Sequence, residues 1–444
     1  MSRLSTLVLF SLIWLSAPAA FGQLPKQKVF ISDIDNFWVA YDSIRTTTDS
    51  LRQLRYIEEL YIAKGTPGLK AFIEVREYSG PEWVSLIRRY PKYWNSLRPH
   101  TQAAKASAQE FDPYLRKLKR LYPALRPAAI YFTIGGLRSG GTVKDSLVLI
   151  GAELATGSSA VDVSEFPAAR QAFLTRFYKT EPYKHIVPLN VHEYVHTQQK
   201  GSGTTLLGQA MVEGICDLVA ELIMKQSVPF PYRTYGLAHE AELKEKFKAQ
   251  MFAPYYNNWF YNQVSDDPNH VGDLGYYMGY AICKSYYDQA KNKKQAIREL
   301  IELDYTNDEA VEAMLQKAHY YTEPINKAQV LQAYESNRPT VVTITPAISL
   351  DGYLDASVKE IRVEFSQPMG RTTNTDFGPG GREQWPIAGK SSFSANNKAI
   401  VYPVALQPGH TYQFNVIGSN TEGGFRSTDG YPLKPYEVKF KTRE

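Results

Sequence analysis

The sequence predicts an α+β chain: a mainly helical unit carrying one small sheet, followed by a separate all-β unit. Three observations carry this reading. Apolar residues recur at helical spacing over 35–122 and 165–334; β-rich runs inside that stretch are confined to 128–155; and after Asn337-Arg338-Pro339 the composition turns to β-branched and aromatic runs broken by Gly, Pro and Asn.

Residues 1–22 run from Arg3 through the apolar stretch 7–15 to the small residues 17–22. This is the layout of a cleaved secretory signal with Gln23 as the first mature residue, and it implies export to the periplasm, the cell surface or the medium. No cysteine stands near the expected cleavage point to carry a lipid. No later stretch approaches the roughly 20 uninterrupted apolar residues of a spanning helix, so no integral membrane span is expected. The 444 residues carry a formal charge of +5, which falls to +4 when Arg3 leaves with the signal. That balance, without basic clusters, excludes a nucleic-acid partner. The two cysteines, Cys216 and Cys283, exclude a disulfide scaffold and leave either one bridge or two buried thiols.

Within the expected N-terminal unit, 23–336, the front section 35–122 is helical, as in Leu51, Leu54, Ile57, Leu60 and Tyr61, with breaks at Gly65-Thr66-Pro67-Gly68 and Gly80-Pro81. The runs 129–134 and 147–150, joined by the glycine-rich stretch 135–141, predict a small sheet or hairpin. Helices are expected at 188–199, 206–225, 239–251, 274–291 and 308–320. In the final unit, 337–444, strands are expected at 341–344, 360–365, 399–402, 411–416 and 436–440, a β-sandwich of about one hundred residues.

The chemistry is concentrated in Val191-His192-Glu193-Tyr194-Val195-His196. Histidines four apart on a helix share one face, so one rigid element supplies two metal ligands. Glu193 beside the first of them can take a proton from a water activated by that metal. Glu213 and Asp217 follow in an otherwise apolar helical stretch, one turn apart. Buried acids are costly unless a cation or hydrogen-bond donors accompany them. Glu213 is therefore expected as the third ligand, and Asp217 as the acceptor that orients a ligand histidine. Two imidazoles disfavour magnesium and calcium; the spacing leaves zinc, manganese and cobalt open, and Zn2+ is the expected ion on ligand type and availability.

These five residues match the pattern of gluzincin metallopeptidases, His-Glu-x-x-His followed on a second helix by Glu-x-x-x-Asp. Residues 25–335 also resemble exported bacterial predicted zinc-dependent proteases of unassigned function. The resemblance implies a zincin-like fold, a peptide or protein substrate, and a small sheet before the active-site helix whose last strand holds an extended substrate. It further implies a donor to the developing oxyanion, for which Tyr277 and Tyr280 are candidates, with His270 behind them. The segment 361–369 resembles the first strand and turn of bacterial immunoglobulin-like domains; its partner is open. Aromatic clusters such as 255–261 either fill cores or stack on sugars. The competing expectations are a catalytically idle zinc fold and a scaffold or binding protein of the cell envelope.

Overall fold

The computed structural model describes residues 29–107, 110–227, 230–263, 269–370, 372–418 and 424–444; the expected signal at 1–22 lies outside them. The front section is built from α1 (Ser32–Arg45), α2 (Ser50–Ile57), α3 (Pro67–Arg76), α4 (Gly80–Arg89), α5 (Pro91–Ser107) and α6 (Phe111–Leu121). The two Gly/Pro breaks are helix starts. Thr66 accepts a hydrogen bond from Leu69 N at the head of α3, and Pro67 and Pro81 occupy first-turn positions, where a missing N–H costs nothing.

The sheet has four strands, β1 (Val29–Phe30), β2 (Ala129–Thr133), β3 (Gly141–Lys144) and β4 (Leu147–Gly151), in the order β1-β2-β4-β3. The first three of that order are parallel, and β3 runs antiparallel to β4. This corrects two expectations. The partner of β2 on one side is a two-residue strand from the far N-terminal end, too short to show a pattern. The last strand, β4, lies inside the sheet and cannot pair with a substrate; the open edge is β3, which begins at the end of the glycine-rich stretch.

Helices then dominate: α7 (Ala152–Ala155), α8 (Ala168–Lys179), α9 (Ile186–His196), α10 (Leu206–Met224), α11 (Pro231–Ala238), α12 (Glu240–Lys248), α13 (Leu274–Gln289), α14 (Lys293–Ile301), α15 (Asp308–Lys317) and α16 (Lys327–Asn337). Thr205 caps α10 by accepting from Gly208 N, and Lys225 closes it in the left-handed conformation. Helices α10 and α13 cross at glycine. A Cβ on Gly214 would stand 2.0 Å from the Gly279 carbonyl carbon, and one on Gly279 would stand 1.7 Å from the Ala210 oxygen. That contact uses one face of α10 and leaves Glu213, about 100° round the helix, for α9. Helix α9 is tied to the start of β2: the Tyr194 hydroxyl accepts from Ala128 N, and the Gln198 side chain accepts from Arg126 N.

The C-terminal unit holds two four-stranded sheets. One has the order β5 (Val341–Thr345), β7 (Glu360–Phe365), β10 (Ala399–Pro403), β9 (Ser392–Phe393); the other has β6 (Tyr353–Leu354), β12 (Tyr436–Thr442), β11 (Thr411–Val416), β8 (Thr375–Asp376). Alternation in β7 buries Ile361, Val363 and Phe365. Two separate apolar cores result, one from Ile34 to Tyr320 and one from Leu354 to Phe440. The units touch where Asn258 donates to the Gly430 carbonyl and where the Arg338 guanidinium lies over the Tyr255 ring. Among the described residues no helix is long and apolar enough to cross a membrane.

Candidate metal centre

Helices α9 and α10 bring His192, His196 and Glu213 together at three atoms. His192 Nε2 and His196 Nε2 stand 3.1 Å apart, and Glu213 Oε2 stands 3.2 Å from the first and 3.1 Å from the second. The outward faces of both rings are engaged with acceptors. His192 Nδ1 lies 2.8 Å from Asp217 Oδ1, and His196 Nδ1 lies 2.6 Å from Gln199 Oε1, whose amide nitrogen is fixed by donating to the Val212 carbonyl. Each ring therefore donates its Nδ1 proton outward and turns the Nε2 lone pair inward. Two lone pairs and a carboxylate oxygen then converge in a near-equilateral triangle. A single proton can satisfy only one edge of it. An ion about 2.0 Å from each of three tetrahedrally disposed ligands spaces them roughly 3.3 Å apart, so the triangle fits one face of a zinc tetrahedron.

The surroundings hold these groups in place. Glu213 Oε1 accepts from the Gln209 amide one turn earlier, and Asp217 Oδ2 accepts from the Tyr232 hydroxyl at 2.9 Å. Burial alone would raise the Glu213 carboxyl, but His196 and His192 beside it overcome that and hold it well below the usual carboxylate range. Burial alone would lower His192; hydrogen bonds to Asp217 and Glu213 win and hold it well above the usual range. His196 is raised likewise, by the Glu213 charge against its own burial. The centre attracts positive charge in whatever form is available.

Among the described residues His192, His196 and Cys216 also form a group whose ligand atoms lie within 4.8 Å of one another. Cys216 Sγ is 3.5 Å from His196 Nδ1, the nitrogen pointing away from the triangle, and it donates to the Val212 carbonyl. Burial, with the charges of Glu213 and Asp217, pushes its thiol far up. Glu213 is thus the better third ligand. Cys216 and Cys283 are both free and buried, not bridged.

Glu193 stands next to the triangle, 8 % exposed, and among the described residues its carboxylate accepts no hydrogen bond. Its pKa is raised by burial, against the pull of the two histidines. The edge strand crosses directly over it: a Cβ on Gly141 would meet Glu193 Oε1 at 2.7 Å, so a side chain there would displace the Glu193 carboxylate. Glu193 and His192 also line a cavity of about 280 Å3 bounded by α8, α9, the end of α10, α11 and the loop before α13.

The two tyrosines expected as oxyanion donors are not brought to this centre. Tyr277 is 1 % exposed and packs over Gly236 of α11, while the Tyr280 hydroxyl donates to Glu221 beneath the Arg233 guanidinium. The helix turns 100° per residue, and the residue on the required face is Tyr276. It lines the cavity, its ring centroid is 6.1 Å from that of His192, and among the described residues its hydroxyl has no hydrogen-bond partner. His270 lines the same cavity, with Nε2 2.6 Å from the Asn262 carbonyl, so that nitrogen donates its proton there. Arg76, whose charge opposes the upward shift of Glu193, comes from α3 and was not foreseen. Nothing in its local sequence signals it.

The family model for the bacterial Ig-like domain matches residues 335–442. No curated protein matches the chain. Two solved structures of S-layer proteins match weakly. The surface layer protein SbsC, domains 1-6, is 14% identical with a TM-score of 0.18 over 62% of this chain and 37% of that one. The S-layer protein rSbsC is 11% identical with a TM-score of 0.18 over 93% of this chain and 45% of that one. This chain thus spans less than half the length of either. At such TM-scores the likeness carries no argument about the fold of the helical unit.

Proposed function

We propose that this chain is an exported zinc-dependent metallopeptidase of the gluzincin type, with zinc on His192, His196 and Glu213 and with Glu193 as the catalytic base. The observation that carries the reading is the near-equilateral triangle of inward-facing Nε2, Nε2 and Oε2 atoms beside the buried Glu193, whose carboxylate accepts no hydrogen bond among the described residues. Export rests on the signal-like segment 1–22 and on the match to a bacterial Ig-like domain.

Bound at the triangle, zinc would supply Lewis-acid polarisation of the scissile carbonyl and a lowered pKa for the attacking water. Asp217 keeps His192 in the tautomer that turns Nε2 inward. Glu193 takes a proton from the water as its oxygen adds to the carbonyl carbon, then delivers it to the amine as the C–N bond breaks. Tyr276, whose hydroxyl has no hydrogen-bond partner among the described residues, donates to the developing oxyanion. The open edge of β3 aligns the substrate main chain above Glu193 by strand addition.

A second reading, a binding protein of the cell envelope, is favoured by the Ig-like match alone. The two separate on Glu193→Gln. The peptidase reading expects hydrolysis of a mixed peptide library to fall about 10²- to 10⁴-fold with zinc content unchanged. A wild type that cleaves nothing the variant does not would leave the binding reading.

A further inference from the structure

The cavity beside His192 and Glu193 combines two kinds of surface. Phe173, Phe177, Leu189 and Phe230 give it an apolar wall. Of the acids among its described lining residues, Asp217 is committed to His192 and Tyr232, Glu221 to Arg233 and Tyr280, and Asp273 to Tyr261 N and Gln263, while Glu193 is the proposed base. Its arginines differ. Arg176, half-buried on α8, has no hydrogen bond or ion pair among the described residues. Arg233, 6 % exposed, uses one terminal nitrogen on Glu221 and leaves its Nε buried without a partner. Arg176, lining the chamber with no ion pair among the described residues, is a guanidinium still able to receive a carboxylate. At about 280 Å3 the space lies just below the range of about 300–1,000 Å3 usual for small-ligand pockets, so it has room for about one residue.

We propose that this chamber receives the C-terminal residue of a peptide, its bulky apolar side chain against Phe173, Phe177 and Leu189 and its free main-chain carboxylate on Arg176. The chain is then a carboxypeptidase. This rests on the peptidase reading above. The apolar wall selects a main-chain carboxylate over an acidic side chain, because the side chain must fill the apolar part. The reaction consumes one water: the last peptide C–N bond breaks, the proton passes through Glu193 to the released amine, and the carbonyl carbon becomes the new terminal carboxylate.

The test compares three N-acetylated peptides, Gly-Gly-Phe with a free carboxylate, its C-terminal amide, and Gly-Gly-Glu amide. Each is assayed for hydrolysis by the zinc-loaded protein and for binding by calorimetry to the zinc-loaded Glu193→Gln variant. The free acid is expected to bind, and to turn over in kcat/KM, about 10- to 100-fold better than either amide. Arg176→Ala should bring the acid-to-amide ratio close to one, and Arg176→Lys should restore part of it. Equal handling of acid and amide, a ratio untouched by Arg176→Ala, or preference for the glutamyl amide overturns the proposal. Binding selectivity without hydrolysis by the wild type would keep the carboxylate site and sink the peptidase reading; hydrolysis without selectivity would do the reverse.

Discussion

The helical unit and the C-terminal sandwich treat buried polar groups in opposite ways. In the sandwich they are met by near neighbours: Thr442 donates to the Gln407 carbonyl, the Gln413 amide to Glu437, and Ser427 accepts from Tyr431 N. Over its described residues no buried side-chain nitrogen or oxygen lacks a partner. Among the described residues of the helical unit Gln53 Oε1, Arg76 Nε, the Tyr78 hydroxyl, Asn190 Oδ1 and Arg233 Nε are buried without one, and two imidazole nitrogens and a carboxylate point at a common centre. An unmet buried group costs about 1–3 kcal/mol. The sandwich shows that this chain can close a core without that cost; two of the groups that bear it, Asn190 on α9 and Arg233 on α11, lie on helices that build the candidate centre and its cavity.

If the two regions differ in this way, mutations should separate them. The largest effect is expected in the cores. Ile361→Ala empties a fully buried position of the sandwich and should cost about 2–5 kcal/mol in chemical denaturation followed by sandwich fluorescence, with zinc binding intact. Gly279→Val, forcing α13 from the Ala210 carbonyl, should cost about 1–3 kcal/mol and weaken zinc binding as well, since α10 carries Glu213. A zinc affinity lowered by the first and untouched by the second would erase the distinction.

Next comes pH. Glu153 is fully buried, its carboxyl pushed up to about 7 by burial although it accepts from Gly135 N and Leu137 N. Its folded value exceeds its unfolded one near 4.5, so the folded state holds the extra proton between the two. Stability from this group is therefore full below about 4.5 and is lost as pH rises towards about 7, on the order of 2–3 kcal/mol across the window. Glu153→Gln should flatten that slope in the unfolding of the helical unit and leave the sandwich transition alone. An unchanged slope would remove Glu153 as its source.

The smallest effect sharpens the centre itself. Asp217→Asn keeps the shape of the acceptor on His192 Nδ1 and removes its charge, and should weaken zinc affinity about 10- to 100-fold in a chelator competition. No change would show that orientation of His192 does not depend on that carboxylate.

What was legible in the sequence was local. Strands Glu360–Phe365 and Thr411–Val416 and the start of α10 at Leu206 follow from alternation, composition and the Thr205 cap, all readable within a few residues. The grouping of His192, His196 and Glu213 was legible because two of its members share a helix and the third follows on the next. What depended on distant contacts was not. Pairing of Val29–Phe30 with β2, the placing of β3 at the edge, and the delivery of Arg76 and Arg176 to the site all arise from packing between remote segments. Tyr276 was missed for a finer reason: helical periodicity fixes a face only once the neighbour is known, and one residue separates the cavity face from the face on Gly236.

The most direct test of the central claim is the zinc content of purified protein, wild type beside Glu213→Ala, by elemental mass spectrometry after dialysis. About one zinc per chain in the wild type, lost or sharply reduced in the variant, is the expected result. No zinc in the wild type even after reconstitution, or equal zinc in both, would contradict it.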